Sequence, residues 1–148
     1  MKLVVQRVKK AKVLRQAQDK SFEVVGEIEK GLFVLVGFKK GDSEKEVELL
    51  AEKLSKLRVM SDGQDKMNLS VNDVGGKMLV VSQFTLYGDT SGGNRPSFIN
   101  AEEPAKAEKL YELFILKLRE KGIKVETGSF GDYMEIEAVL DGPVTILY

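Results

Sequence analysis

Eight consecutive residues, Gly31-Leu32-Phe33-Val34-Leu35-Val36-Gly37-Phe38, carry no polar side chain. A strand with one face in water alternates apolar and polar residues, so an unbroken run of this kind reads as a strand buried on both faces. The rest of the chain must then supply cover for each face. Lys39-Lys40-Gly41-Asp42 marks the turn that ends the run.

Two segments have the pattern of covering helices. Ser43 followed by Glu46 fits a capping box, and Val47, Leu50, Ala51, Leu54 and Leu57 then recur on one helical face. Ala107, Leu110, Tyr111, Phe114 and Leu118 make a second stripe. Pro104 suits its first turn, and Lys117, Arg119 and Lys121 complement the carbonyl end of the helix dipole before Gly122. The surface these helices need is a sheet. Its other candidate strands are Leu3 to Val13, Ser21 to Glu29, Lys77 to Gln83, Lys124 to Thr127, Tyr133 to Leu140 and Val144 to Tyr148. Strands first and last, with two helices between runs of strand, predict an α+β fold rather than alternating βαβ units. The expected architecture is a mixed or mainly antiparallel curved sheet covered by two principal amphipathic helices. At 148 residues it is a single domain, 1–148, able to bury about two-thirds of its extended surface without a covalent staple.

Composition narrows the chemistry. The chain has neither cysteine nor histidine. Thiolate catalysis, disulfides, cysteine-ligated metals, imidazole-ligated metals and the Ser-His and Cys-His pairs are all excluded. Carboxylates, Lys, Tyr, positioned backbone and the substrate's own groups remain. No carboxylate cluster has the spacing of a metal site, and no cofactor is expected. Neither a G-x-G-x-x-G nor a G-x-x-x-x-G-K-[ST] motif occurs, so dinucleotide and P-loop readings have no support.

The opening Met1-Lys2-Leu3-Val4-Val5 lacks an apolar run long enough for a signal peptide, and no stretch approaches a membrane span, so a cytoplasmic protein is expected. A net charge of zero argues against bulk electrostatic coating of duplex nucleic acid. Residues 1–20 nevertheless hold seven Lys or Arg and one Asp. That cluster is either a local phosphate contact near the first hairpin or a solvated edge-strand face on which lysine discourages aggregation.

Three segments could carry chemistry. Met78 to Tyr87 begins as a buried strand and turns polar at Ser82, Gln83 and Thr85, where a rigid element can hold hydroxyl and amide groups over a cleft. No histidine exists to activate either hydroxyl, and the nucleophile elbow G-x-S-x-G is missing. Gly92-Gly93-Asn94-Arg95-Pro96-Ser97-Phe98 is a polar loop with a candidate anion-binding arginine, or a plain flexible turn. Asp141-Gly142-Pro143-Val144 reads as a turn at a strand start.

Taken together these segments resemble the D-aminoacyl-tRNA deacylase (D-tyrosyl-tRNA deacylase) family, over essentially the whole chain. The resemblance is carried by Val5-Gln6-Arg7-Val8, Gly26-Glu27-Ile28, Gly31-Leu32, Lys66-Met67-Asn68-Leu69, Val81-Ser82-Gln83-Phe84-Thr85-Leu86, Arg95-Pro96-Ser97-Phe98, Thr127-Gly128-x-Phe130 and Asp141-Gly142-Pro143-Val144-Thr145. Departures are Leu140, where asparagine is common, Asn94, and the idiosyncratic stretch Leu14 to Lys20. The resemblance implies a homodimer that hydrolyses D-aminoacyl-tRNA and glycyl-tRNA and rejects L-aminoacyl-tRNA. It implies a cis Gly142-Pro143 bond projecting into the other protomer's pocket beside Ser82, Gln83, Phe84 and Thr85. Arg7 would orient that motif, with Met67 and Phe130 in support. Attack by water or by the ribose 2′-hydroxyl, with N–H groups near Phe84 and Thr85 holding the oxyanion, is the favoured chemistry, and Thr85 as nucleophile is the alternative. Two other functions fit the composition: a non-catalytic dimeric RNA-binding protein and a general small-molecule esterase.

Overall fold

The computed structural model describes all residues from Met1 to Tyr148. Its elements are β1 (Lys2–Gln16), β2 (Phe22–Ile28), β3 (Gly31–Gly37), α1 (Glu44–Ser55), β4 (Met60–Ser61), β5 (Met67–Leu69), β6 (Lys77–Ser82), a 3-10 turn (Phe84–Tyr87), α2 (Pro104–Glu120), β7 (Lys124–Thr127) and β8 (Met134–Leu147). The fold is α+β, with a mixed six-stranded sheet and a separate small β4–β5 hairpin.

Strand β1 organises the sheet. Its first half pairs antiparallel with β3, from Lys2 opposite Gly37 to Val8 opposite Gly31. Its second half pairs antiparallel with β2, starting at Ala11 opposite Ile28. The two registers are continuous, so β2 and β3 act as one long bent strand interrupted at Glu29-Lys30. Beyond β3 the sheet continues in parallel through β6 to β7. Along its other edge β1 carries β8, antiparallel. The bend brings β2 across β7: a Cβ on Gly26 would lie 2.3 Å from the Thr127 carbonyl oxygen. Glycine is what allows this approach.

That curvature explains the unbroken apolar run. Leu32, Val34 and Val36 of β3, with Met78 and Val80 of β6, face α1 and α2 in a cluster with Val47, Leu54, Leu110, Phe114 and Leu118. The alternate residues Phe33, Leu79 and Val81 face a second cluster, closed by Val8, Ala11, Val13 and Ile28 of the β1–β2 ribbon. Helices cover one face and the sheet's own fold covers the other.

Both helices form as their caps predict. Ser43 and Glu46 complete a reciprocal capping box, and Pro104 occupies the first turn of α2. Leu57 lies just past the end of α1 yet still packs on its core. No helix is long and apolar enough to cross a membrane.

One sequence expectation needs correction. The segments Tyr133 to Leu140 and Val144 to Tyr148 are one strand, β8, with no break at the Gly-Pro pair. Between the pairs Gln6–Thr145 and Val8–Leu140, β1 advances two residues and β8 five. The surplus residues of the Asp141 to Val144 stretch bulge from the ladder opposite Arg7, so pairing resumes on both sides. Strands β4 and β5 were not anticipated, because two and three residues give no readable periodicity.

Candidate active site

A cleft of about 580 Å³ opens at the C-terminal end of β6. Ser82, Gln83 and Phe84 line it together with Phe38, Phe98, Phe130, Tyr133, Met134 and Ile136. Glu102 and Glu103, just before α2, and Asp132 add carboxylates to the lining.

Local structure explains how the Ser-Gln-Phe-Thr segment reaches this cleft. Strand β6 pairs with β3 as far as Ser82, and the Gln83 N–H then donates to the Val36 carbonyl at 2.7 Å. The chain turns at once into the 3-10 segment, with Leu86 N–H on the Gln83 carbonyl and Gly88 N–H on that of Thr85. The first N–H groups of a helical turn have no partner within it. Phe84 and Thr85 begin this one, and the Gln83 side chain does not cap it. The Gln83 side-chain amide donates instead to the Thr85 hydroxyl. Lys2 secures the far end, donating to the Leu86 carbonyl at 3.1 Å and lying 4.7 Å from the centre of the Tyr87 ring.

Phe130 and the end of β6 are both anchored by α2. Buried Tyr111 of α2 donates its hydroxyl to the Val80 carbonyl at 2.7 Å, and its ring lies 5.8 Å from that of Phe130. Gly128 N–H donates to the same carbonyl.

Three titratable groups in and around the cleft are shifted, and none of the shifts makes a base for neutral pH. The Glu102 carboxyl sits below its ordinary range, first because Lys106 bonds it and then because the Glu103 N–H does. Burial pushes the Tyr87 phenol up to about 12, with the charge of Asp42 adding to the effect. Burial likewise raises Tyr111. Both phenols therefore stay protonated at neutral pH.

The sequence-derived residues fall into two separate groups. Ser82, Gln83, Phe84 and Phe130 line the cleft, and Thr85 follows them on the exposed turn without lining it. Gly142 and Pro143 lie on the β8 bulge with Arg7. The Gly142-Pro143 bond is cis, and Gly142 has φ +124°. The Arg7 guanidinium donates to the Asp141 carbonyl at 3.1 Å and to the Val59 carbonyl at 2.8 Å, with the Asp141 carboxylate 3.4 Å away. It thereby ties the bulge to the segment entering β4. Met67 is exposed on β5 and lines neither group. Sequence reasoning missed Phe38, Glu102, Tyr133, Met134 and Ile136 as cleft residues. Phe38 ends the apolar run and Ile136 reads as an ordinary strand residue, so neither carried a distinguishing signal.

The fold is α+β, and its cleft offers main-chain, amide and hydroxyl groups at the end of β6. The family model described as D-Tyr-tRNA(Tyr) deacylase matches residues 4–148. The D-aminoacyl-tRNA deacylase of Thermotoga petrophila is 54% identical over 147 residues, covering 99% of this chain and 95% of that protein. That of Brevibacillus brevis is 52% identical over 147 residues, covering 99% and 98%. Among solved structures, the c-Myc DNA unwinding element binding protein superposes with a TM-score of 0.90 at 38% identity, over 100% of this chain and 97% of that one. A probable eukaryotic D-amino acid tRNA deacylase shares the fold, with a TM-score of 0.85 at 14% identity over 99% and 97%. The chain belongs to the D-aminoacyl-tRNA deacylase family.

Proposed function

We propose that the protein hydrolyses the ester joining a D-amino acid to the terminal ribose of tRNA, releasing free tRNA and the D-amino acid. It works as a cytoplasmic homodimer in which Gly142-Pro143 of one protomer closes the cleft of the other. Family membership supports the reaction, and the separation of the two residue groups supports the dimer.

The observation that carries the reading is the position of the Gly-Pro bulge on β8. Ile136 of that strand lines the cleft, and Gly142 follows six residues later, up to about 20 Å along an extended chain. The bulge cannot fold back into its own cleft while β8 stays paired with β1. Outward presentation to a second copy is the arrangement we infer from this. Ile136, Val139, Leu140 and Leu147 are exposed along the same strand, a long apolar edge of the kind that pairs with another chain.

The chirality logic follows from what such a bulge can offer. An enzyme for many side chains must read the atoms common to every substrate: the α-ammonium, the ester and the terminal adenosine. Gly142 and Pro143 supply main-chain carbonyl acceptors for the ammonium and a rigid wall against an L substituent. Glycyl-tRNA, with no Cβ to exclude, passes as a substrate. At the reacting carbon, water or the 2′-hydroxyl attacks the carbonyl, and the Phe84 and Thr85 N–H groups receive the developing oxyanion. Gln83 shapes the adenosine end. A nucleophilic Thr85 is disfavoured, because its hydroxyl meets the Gln83 amide, which cannot take its proton at neutral pH.

Parallel deacylation of the D and L forms of one aminoacyl-tRNA, with glycyl-tRNA alongside, tests the reading. Rapid loss of the D and glycyl esters with survival of the L ester is expected. Equal cleavage of both enantiomers overturns the chiral assignment, and equal activity on a free aminoacyl ester indicates a general esterase.

A further inference from the structure

The connection from the 3-10 turn to α2 runs for sixteen residues, Gly88 to Glu103, without helix or strand. Connections this long in a compact domain are uncommon and usually functional. Every residue from Gly88 to Asn100 is exposed, yet the loop is firmly placed. Asp89 and Ser97 exchange two backbone hydrogen bonds of 2.8 Å at its base. The Phe98 ring meets Phe84 edge-on, with centroids 5.1 Å apart. At its far side Lys40 N–H donates to the Asn100 carbonyl and Glu102 N–H to that of Phe38, both at 3.0 Å. The loop and the Lys39-Lys40 turn therefore form one continuous rim beside the cleft.

Charge divides sharply between that rim and the cleft it borders. The cleft lining contains Glu102, Glu103 and Asp132. It suits an ammonium and an uncharged nucleoside and repels phosphate. The rim presents Arg95, Lys39 and Lys40, all exposed, and none of them takes part in any of the chain's ion pairs. The acid nearest Arg95 in the loop, Asp89, has its carboxylate engaged by the Ser91 N–H. An RNA whose esterified 3′ nucleoside occupies the acidic cleft keeps its phosphates outside it, and this rim is a basic surface directly beside it.

We propose that Arg95, Lys39 and Lys40 form the docking surface for the phosphodiester backbone of the acceptor strand. The inference rests on the tRNA deacylase reading and adds to it a route for the RNA. Phosphate contacts of this kind fix register without reading sequence. They suit an enzyme that must serve tRNAs of different identity.

The test compares Arg95→Gln and the Lys39→Gln/Lys40→Gln pair with wild type on D-aminoacyl-tRNA and on 3′-O-(D-aminoacyl)adenosine, which has no phosphate. Lys109→Gln, on the exposed face of α2, serves as a control. Loss of each contact should raise KM for the tRNA substrate several-fold while kcat holds. It should also flatten the plot of log kcat/KM against log salt by about 0.7 to 0.9. Activity on the adenosine ester should match wild type. Anisotropy titrations of uncharged tRNA at several salt concentrations read the same slope without catalysis. Unchanged tRNA kinetics and salt slope overturn the docking surface, as does an equal loss on both substrates. If wild type fails to cleave D-aminoacyl-tRNA, the deacylase reading falls, and the binding slopes still decide the docking surface.

Discussion

Thr85 sits on an exposed turn, and its hydroxyl accepts from the Gln83 amide. Thr85→Ala should therefore keep kcat/KM on D-aminoacyl-tRNA within about tenfold of wild type, a loss of no more than ~1.4 kcal/mol of transition-state stabilisation. Abolished turnover with intact folding and tRNA binding would instead establish an acyl-enzyme route. Gly142 is constrained from two directions. Its φ of +124° disfavours any L side chain, and an added Cβ would lie 3.1 Å from both the Arg7 guanidinium and the Val144 nitrogen. Gly142→Ala should displace the bulge from Arg7 and lower D-substrate turnover and the D-over-L ratio together. Its thermal midpoint should fall by about 3–10 °C, since local backbone strain costs about 1–3 kcal/mol. A variant with wild-type turnover and selectivity would show that Gly142 takes no part in the site.

Elements were readable where their determinants are local. A capping box, a stripe and a terminal glycine specify α1 and α2 within a few residues of each boundary, and the structure follows them. Strand β8 was misread as two because its continuity depends on pairing with β1 and on Arg7, which is 134 residues distant from Asp141. The cleft was partly hidden for the same reason: Phe38 and Ile136 meet Ser82 only after the sheet curves. At this scale two outcomes are expected. A Cβ on Gly31 would sit 1.9 Å from the Lys77 backbone oxygen, and backbone in a parallel ladder cannot step aside. Gly31→Ala should cost about 3 kcal/mol or more, read as a lowered urea midpoint or failure to fold. The helix α1 also makes stability depend on acid. Bonds from Ser43 hold Glu46 down to about 2, and bonds from Lys121 and Lys56 hold Glu52 down to about 2, both from an ordinary 4.5. A depressed folded pKa stabilises fully above 4.5 and loses that contribution as pH falls from 4.5 toward 2. The denaturation midpoint should decline across that window, and Glu52→Gln should make the decline shallower. An identical pH profile for the variant would place the acid sensitivity elsewhere.

For the whole molecule, the proposed function requires a cleft at one end of β6 and a bulge on the far edge of the sheet to act on one substrate. If they meet across two protomers, defects in them should complement one another. A protomer with a disabled cleft, such as Gln83→Ala/Phe84→Ala, still carries a sound Gly-Pro bulge, whereas a Gly142→Ala protomer carries a sound cleft. Pairing them places both defects in one of the two sites and both intact parts in the other. Each parent homodimer has two damaged sites, so the mixed dimer should hydrolyse D-aminoacyl-tRNA at about half the wild-type rate per dimer, as expected for additive, independent sites. Two different affinity tags, used in succession on a co-expressed sample, isolate that species. A site assembled from one chain predicts the opposite, because every protomer in the mixture then carries a defect in its own site. Activity of the mixed dimer no higher than the mean of the parents would place the bulge and the cleft in separate roles. Recovery with D-over-L selectivity restored would identify the edge of β8 as the element that makes two incomplete sites into two working ones.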